Sequence, residues 1–342
     1  MTNNSLCIMR PVREDDLDAL CHLASQVKGM TNLPDDRGIL TNRVYESLKG
    51  FNPHVNKPAG ELYLFVMEDT VTKEILGTSC IASKVGGFEP FYSYEIRTEI
   101  YESENPKVHK EIKTLHPIAN HSGPSEVCGL YLSPTSRRSG LGRLLSLSRF
   151  LFMAEFPNRF DKKVIAEMRG YITPDGISPF WECVGKHFFN IDFYEADYLS
   201  ATGNKTFIEE LMPEHPLYIP MLPHEVQAVI GKVHVDTEPA RKLLESEGFA
   251  FESHVDIFDA GPTLECNFND IRSVKNSKVL RVSVGLVEDG APEHLVSNLD
   301  LDFRAGFAPA IEKEGQLILD KDFAKALSLK DGDKCRSILF RA

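Results

Sequence analysis

The spacing of apolar positions changes several times along this chain, and each change marks an element. In VREDDLDALCHLASQV, Val12 to Val27, Leu17, Leu20 and Leu23 recur at helical spacing. Glu14, Asp15 and Asp16 fall in the first turn, where the helix dipole favours negative charge. A second helix is predicted from Arg37 to Leu48. ELYLFVM (61–67) and ILGTSCIA (75–82) are apolar runs of strand length, and DTVTKE between them predicts a hairpin or meander. Val127 to Leu132 is another strand. A helix follows it, with Leu141, Leu144, Leu145, Leu151 and Phe152 on one stripe. VIAEM (164–168) predicts a strand, and SPFWECVGKHF (178–188) a helix opened by Ser-Pro.

From about Asn190 to Gly231 the pattern is mostly helical and irregular, broken by the three prolines of HPLYIPMLPHEV. Thr237 to Gly248 predicts a helix with Thr237 as N-cap, Pro239 in the first turn and Gly248 as its stop. Val255–Phe258 and Thr263–Cys266 predict short strands. After Ile271, LRVSVGLV, QLIL and CRSILF alternate like strands, with KDGDK as a tight turn. The chain thus divides into 1–189, 190–270 and a small β-rich subdomain at 271–342.

Composition narrows the function. The formal net charge of −12 argues against a non-specific nucleic-acid binder and suits a cationic substrate. No apolar run approaches the ~20 residues that span a membrane. MTNNSLCIMRPV lacks the basic start and apolar stretch of a signal peptide. The seven cysteines are widely spaced with no CxxC, which points to a reducing cytoplasm, no disulfide framework and no zinc site. No histidine spacing suggests another metal.

The chemistry concentrates in LYLSPTSRRSGLGRLL, Leu130 to Leu145. A strand, a turn, two glycines and a helix start form an anion site: the first helical N–H groups lack partners, and glycine lets a phosphate approach the backbone. Arg137, Arg138 and Arg143 add cations. GxxxxGK[ST] is absent, and the third glycine of GxGxxG is replaced by Leu145. The segment R-x-x-G-x-G, with Gly140 and Gly142, resembles the coenzyme A pyrophosphate loop of the GNAT acyltransferase superfamily. That resemblance implies an α+β, GNAT-like acyl-CoA N-acyltransferase fold, a mixed twisted sheet flanked by helices. It implies a fourth strand splayed from the fifth, and a backbone N–H near Leu130 that stabilises a thioester oxyanion.

SEVCGLYLSP, VIAEMRG, SPFWECVGKHFFNIDFYEADYL, FIEELMPEHPLY, VIGKVH, PARKLLESEGF and DIFDAGPTLEC extend the likeness. Together they resemble arginine N-succinyltransferase from about Met9 to Cys266, with weak likeness after Ile271. The resemblance implies transfer of succinyl from succinyl-CoA, a cosubstrate, to the α-amine of L-arginine, with no permanently bound cofactor. It implies a homo-oligomer, or a hetero-oligomer with a related chain.

His234, in GKVH, fits the family's catalytic histidine and is expected to donate the proton. A surface or core histidine is the bland alternative. Many GNAT enzymes use a Tyr from a helix reading FYEKxGF, but FWECVG carries Trp181, whose indole cannot serve. TEPARKLLESEGF resembles the same helix, so residues 190–270 are either an insertion or a second GNAT-like half. His121, in NHSGPSEV, is the rival to His234 or a plain turn residue; Glu126 is the preferred carboxylate for substrate, with His121 beside it as a substrate candidate. Asp192, Asp197, Asp256 and Asp259 are further acids in the family-like segments. The alternatives are a GNAT enzyme acting on ornithine or another cationic amine, and a non-catalytic acyl-CoA-binding subunit.

Overall fold

The computed structural model describes residues 6–26, 33–87, 89–137, 140–203 and 205–341. Its strands are β1 Cys7–Pro11, β2 Leu62–Asp69, β3 Ile75–Ala82, β4 Phe91–Glu104, β5 Lys107–Asn120, β6 Ser125–Leu132, β7 Lys163–Glu167, β8 Leu217–Tyr218, β9 Ala250–Val255 and β10 Pro262–Asn267. Six more follow: β11 Lys278–Val284, β12 Glu293–Ser297, β13 Ala305–Pro309, β14 Ile311–Lys313, β15 Gln316–Leu319 and β16 Lys334–Leu339. The helices are α1 Leu17–Ser25, α2 Arg37–Gly50, α3 Leu141–Glu155, α4 Lys186–Phe189, α5 Phe193–Ala201, α6 Thr206–Leu211, α7 His224–Gln227, α8 Glu238–Ser246, α9 Arg272–Asn276 and α10 Lys321–Ala326. The architecture is mixed α+β around one large mixed sheet, ordered β14-β15-β11-β16-β12-β13-β1-β2-β3-β6-β7-β10-β9-β4-β5-β8. Among the described residues, no helix is long and apolar enough to cross a membrane.

Most predicted elements stand within a residue or two of their expected bounds, and the differences have physical causes. The acids at the start of the first helix do more than meet a dipole. Asp16 is buried and takes a bidentate pair from Arg10, at 2.7 and 2.8 Å, while Arg10 Nε donates to Glu68 at 2.6 Å. One guanidinium from β1 thereby ties β2 to the head of α1. The α3 stripe is too narrow a description: Leu144, Leu147, Phe150, Leu151, Phe152 and Met153 are all buried, because sheet, α8, α9 and C-terminal strands surround the helix. Trp181 begins a π-helical turn rather than an α-helix and is fully buried, stacked on Phe189. Val255–Phe258 is mostly a turn, since β9 ends at Val255 and Asp256 accepts from the N–H groups of Phe258 and Asp259.

The fourteen-residue strands β4 and β5, a long hairpin, have no counterpart in the pattern reading. Tyr92, Tyr94, Ile96 and Ile100 do alternate along β4, a period of two that the reading passed over; past Ile96 most side chains of both strands are exposed, so the hairpin buries little beyond its base. The helical excursion from 190 to 248 ends when β9 and β10 rejoin the same sheet, with β10 pairing directly to β7.

Removing the Arg10 cation strands two buried carboxylates. Arg10→Ala is expected to cost about 3–5 kcal/mol of stability at pH 7. The Glu68 carboxyl is held below its ordinary range by Lys73 and Arg10, so its share of that stability is present above about 4.5 and fades as pH falls. Denaturant melts of Arg10→Ala and the unaltered chain should therefore converge in acid; a constant gap down to pH 3 would contradict this account.

Candidate active site

The site begins where two strands separate. β6 and β7 pair in parallel at Ser125↔Val164 and Glu126↔Ile165, and share no register beyond that. On its other edge β6 follows β3, but the register shifts between Thr78 and Cys80. There Gly129 adopts φ +58°, and the Thr78 hydroxyl donates to its carbonyl at 3.1 Å. Such a bulge increases the local twist and re-aims the backbone. It coincides with Leu130, which is half-buried and packs on the main core.

At the end of β6, Pro134–Ser136 forms a 3₁₀ turn, and α3 starts beyond Gly140. Gly140 has φ +93°, and a Cβ there would stand 2.8 Å from the Phe307 ring. Its glycine is therefore demanded by the fold. Gly142 differs: nothing lies within 4 Å of where a Cβ would stand, so packing places no demand on it. The N-cap of α3, Gly140, has no side chain to cap it, so among the described residues the first N–H groups of α3 have no side-chain partner. Arg137 is exposed. Arg143 is partly enclosed and donates to the Phe340 carbonyl at 3.2 Å, with its pKa pushed down by burial and by Arg272 and Arg341. Arg138 lies outside the described residues.

The other wall is charged. Along β7, Val164 and Ala166 enter the main core, so the period of two turns Ile165 and Glu167 to the opposite side; just past the strand Met168 also enters that core and Arg169 follows it half-buried. Burial pushes the Glu167 carboxyl well up, aided by Asp256, Glu126 and Asp259, and its Oε1 is buried without a hydrogen-bond partner. Burial pushes Glu126 up to about 7, against the pull of Lys205 and Arg149. Asp197, on α5, is pushed up to about 7 by burial and Asp256, with Arg169 opposing.

His234 hangs on the same corner. Its N–H donates to the Arg169 carbonyl at 2.8 Å, and Gly170 and Val233 form a bridge. Its Nδ1 accepts from Asp236 N–H at 3.2 Å, which leaves the ring proton on Nε2 in the neutral form. Burial and Arg169 push its pKa down, so the neutral ring is favoured at pH 7. The corner is pinned by Asp259, whose carboxylate accepts from Gly170 N–H at 2.6 Å and Gly261 N–H at 2.8 Å. Neither glycine could carry a side chain, because a Cβ at Gly170 would lie 2.5 Å from Asp259 and one at Gly261 2.0 Å from the Met168 carbonyl.

Of the sequence candidates, Glu126, Asp197, Asp256, Asp259 and His234 thus join one electrostatic cluster. Asp192 instead caps α5 by accepting from Tyr194 N–H at 2.8 Å. His121 is exposed in the turn before β6, its Nδ1 3.1 Å from the Gly87 carbonyl. The Trp181 indole N–H is bound to the Ile191 carbonyl at 3.3 Å. Sequence reasoning missed Glu167, Arg169, Lys205 and Arg149. For Glu167 a signal existed, since alternation in VIAEM puts it on the face opposite the core residues. The guanidinium of buried Arg149 bonds the Cys128 carbonyl at 3.2 Å from a position that reads as part of an ordinary apolar helix.

Two family models match the chain. One, described as arginine N-succinyltransferase beta subunit, covers residues 7–273; the other, its C-terminal domain, covers 278–338. The likeness therefore does not fade after Ile271, as the motifs suggested. Proteins named arginine N-succinyltransferase from Citrobacter koseri and Salmonella schwarzengrund are each 42% identical, over 97% of this chain and 97% of theirs. A solved structure of arginine/ornithine succinyltransferase subunit AI from Pseudomonas aeruginosa superposes with a TM-score of 0.91 at 33% identity, covering 99% of this chain and 100% of that one.

The two loop glycines should separate in experiment. Gly140→Ala is expected to lower the melting temperature, because it forces a left-handed residue that costs ~1–2 kcal/mol and presses on Phe307. Gly142→Ala should melt like the unaltered chain. Equal melting of both variants would remove the distinction.

Proposed function

The chain belongs to the arginine N-succinyltransferase family, and on that premise we propose how the β6–β7 cleft performs the reaction. The chain is an acyltransferase that moves succinyl from succinyl-CoA to arginine. In our reading the fold is GNAT-like. The support is the parallel β6–β7 pair that parts after Glu126, with the arginine–glycine turn and an uncapped helix at the open end. The CoA diphosphate lies on the N–H groups opening α3, with Arg137, Arg138 and Arg143 around it and Gly140 and Gly142 in the turn. The pantetheine arm runs along the free edge of β6, as an added strand would.

The thioester carbonyl then reaches the bulge, where a backbone N–H near Leu130 stabilises the oxyanion. Glu126, in its ionised form, receives the cationic amino acid, with His121 a more distant neighbour. The free α-amine attacks the thioester carbon; the C–S bond breaks and the amide forms. Nitrogen releases one proton and sulfur gains one. His234, neutral at rest, takes up the proton that nitrogen releases and, as the imidazolium so formed, is the donor to sulfur. An imidazolium with a pKa below about 6.5 gives its proton downhill to a thiolate whose thiol ordinarily titrates near 8.5. The Asp236 carboxylate, 3.7 Å from Nδ1, supports the charged ring while it exists.

In this GNAT-like reading the helix before β9 is α8, and Leu244 takes the place of the family's Tyr acid. This favours 190–270 as an insertion that returns to complete the site, between a core at 1–189 and the C-terminal unit at 271–342. We further propose an oligomer, of this chain or with a related one, working in the cytoplasm. The description of the Pseudomonas aeruginosa protein supports a second amine substrate, ornithine, at the same site. The observation that carries the reading is that His234 hangs from the Arg169 carbonyl, two residues past the buried Glu167 of the charged wall.

A thiol-release assay with succinyl-CoA and arginine tests it. His234→Ala should lower kcat by ~10²-fold or more with little change in either KM. Full turnover in that variant would refute His234 as donor. Glu126 titrates at about 7, so kcat/KM for arginine should rise as pH climbs through that value. Glu126→Gln should lower kcat/KM and erase that limb; a limb kept intact would assign it elsewhere.

A further inference from the structure

We propose that the Arg169 guanidinium is a specificity element that binds a carboxylate of the reactants, either the free end of the succinyl group or the α-carboxylate of the amino acid. The inference rests on the functional reading above and adds a residue to it. Arg169 is half-buried just past the end of β7. Among the described residues its guanidinium has no hydrogen-bond or ion-pair partner, although the Asp197 carboxyl is near enough to feel its charge. A partly enclosed arginine normally binds a carboxylate, backbone carbonyls or an aromatic face, because its planar fork is costly to leave unused.

Its position is fixed. The Arg169 carbonyl holds His234, and the next residue is clamped by Asp259. Arg169 is close enough to shift His234 and Asp197, yet Asp197 is not paired with it. Glu167, two residues earlier, carries a buried oxygen that is equally unpartnered. An unmatched carboxyl and an unmatched guanidinium on one strand end suit a reactant set that brings both a cation and a carboxylate. The bland alternative, a cation that merely offsets neighbouring acids, predicts no preference for carboxylate-bearing ligands.

The test is calorimetric binding to the full chain, unaltered and as Arg169→Met and Arg169→Lys. The ligands are succinyl-CoA against acetyl-CoA, and, on enzyme saturated with CoA, arginine against agmatine, which is arginine without its carboxylate. Arg169→Met should weaken one carboxylate bearer by about 10- to 100-fold and leave its carboxylate-free counterpart unchanged. Loss confined to succinyl-CoA assigns the acyl end; loss confined to arginine assigns the amino acid. Arg169→Lys should recover part of the loss, and it carries the comparison if the methionine variant does not fold. Equal weakening of all four ligands, or of none, overturns the proposal. If the unaltered chain binds neither succinyl-CoA nor arginine, the functional reading itself fails and takes this proposal with it.

Discussion

The parting of β6 from β7 after two shared residue pairs is the constraint on which the site depends. Strands in a sheet ordinarily satisfy each other's N–H and C=O groups along their length. Here the bulge at Gly129 increases the twist of β6 while β7 stays bound to β10 on its far edge. The result is an edge of β6 that, among the described residues, has no strand partner beyond Glu126. Buried Arg149 keeps the bulged region from relaxing by bonding the Cys128 carbonyl from within α3.

Charge is distributed to match. The chain carries a net −12, and the acids at the end of β7 are forced toward their neutral forms by burial and by one another. Such a wall is poor at stabilising the fold and well suited to a cation, which would relieve the repulsion. Asp259 belongs to the same cluster but has another task. By accepting two backbone N–H groups it shapes the corner from which His234 is hung, and the glycines at 170 and 261 are there because side chains would occupy the same space.

The C-terminal strands also bear on the site. Phe307 and Phe340, stacked with ring centroids 4.1 Å apart, form the surface on which Gly140 rests, and the Phe340 carbonyl holds Arg143. The arginine–glycine turn is thus braced from a part of the chain more than 160 residues later in sequence. The separate apolar cluster around Leu317, Phe323 and Leu327 keeps those strands in register.

Much was legible in the residues alone. Local patterns placed β2, β3, β6, β7, β10, β15, β16, α2 and α8 to within a residue or two, because side-chain periodicity and caps act over a few positions. The arginine–glycine turn and the GKVH histidine stood out as candidates because arginine, glycine and histidine are residue types suited to anion binding and proton transfer. Tertiary structure alone decided what depends on long-range partners. It buried Asp16 beneath Arg10, wrapped α3 on all sides, put Trp181 in a core, and carried the β4–β5 hairpin into solvent beyond its buried base. It also gathered Glu126, Glu167, Asp197, Asp256 and His234 from distant segments. A carboxylate's pKa and partners are set by what folds against it, and spacing along a chain carries no record of that.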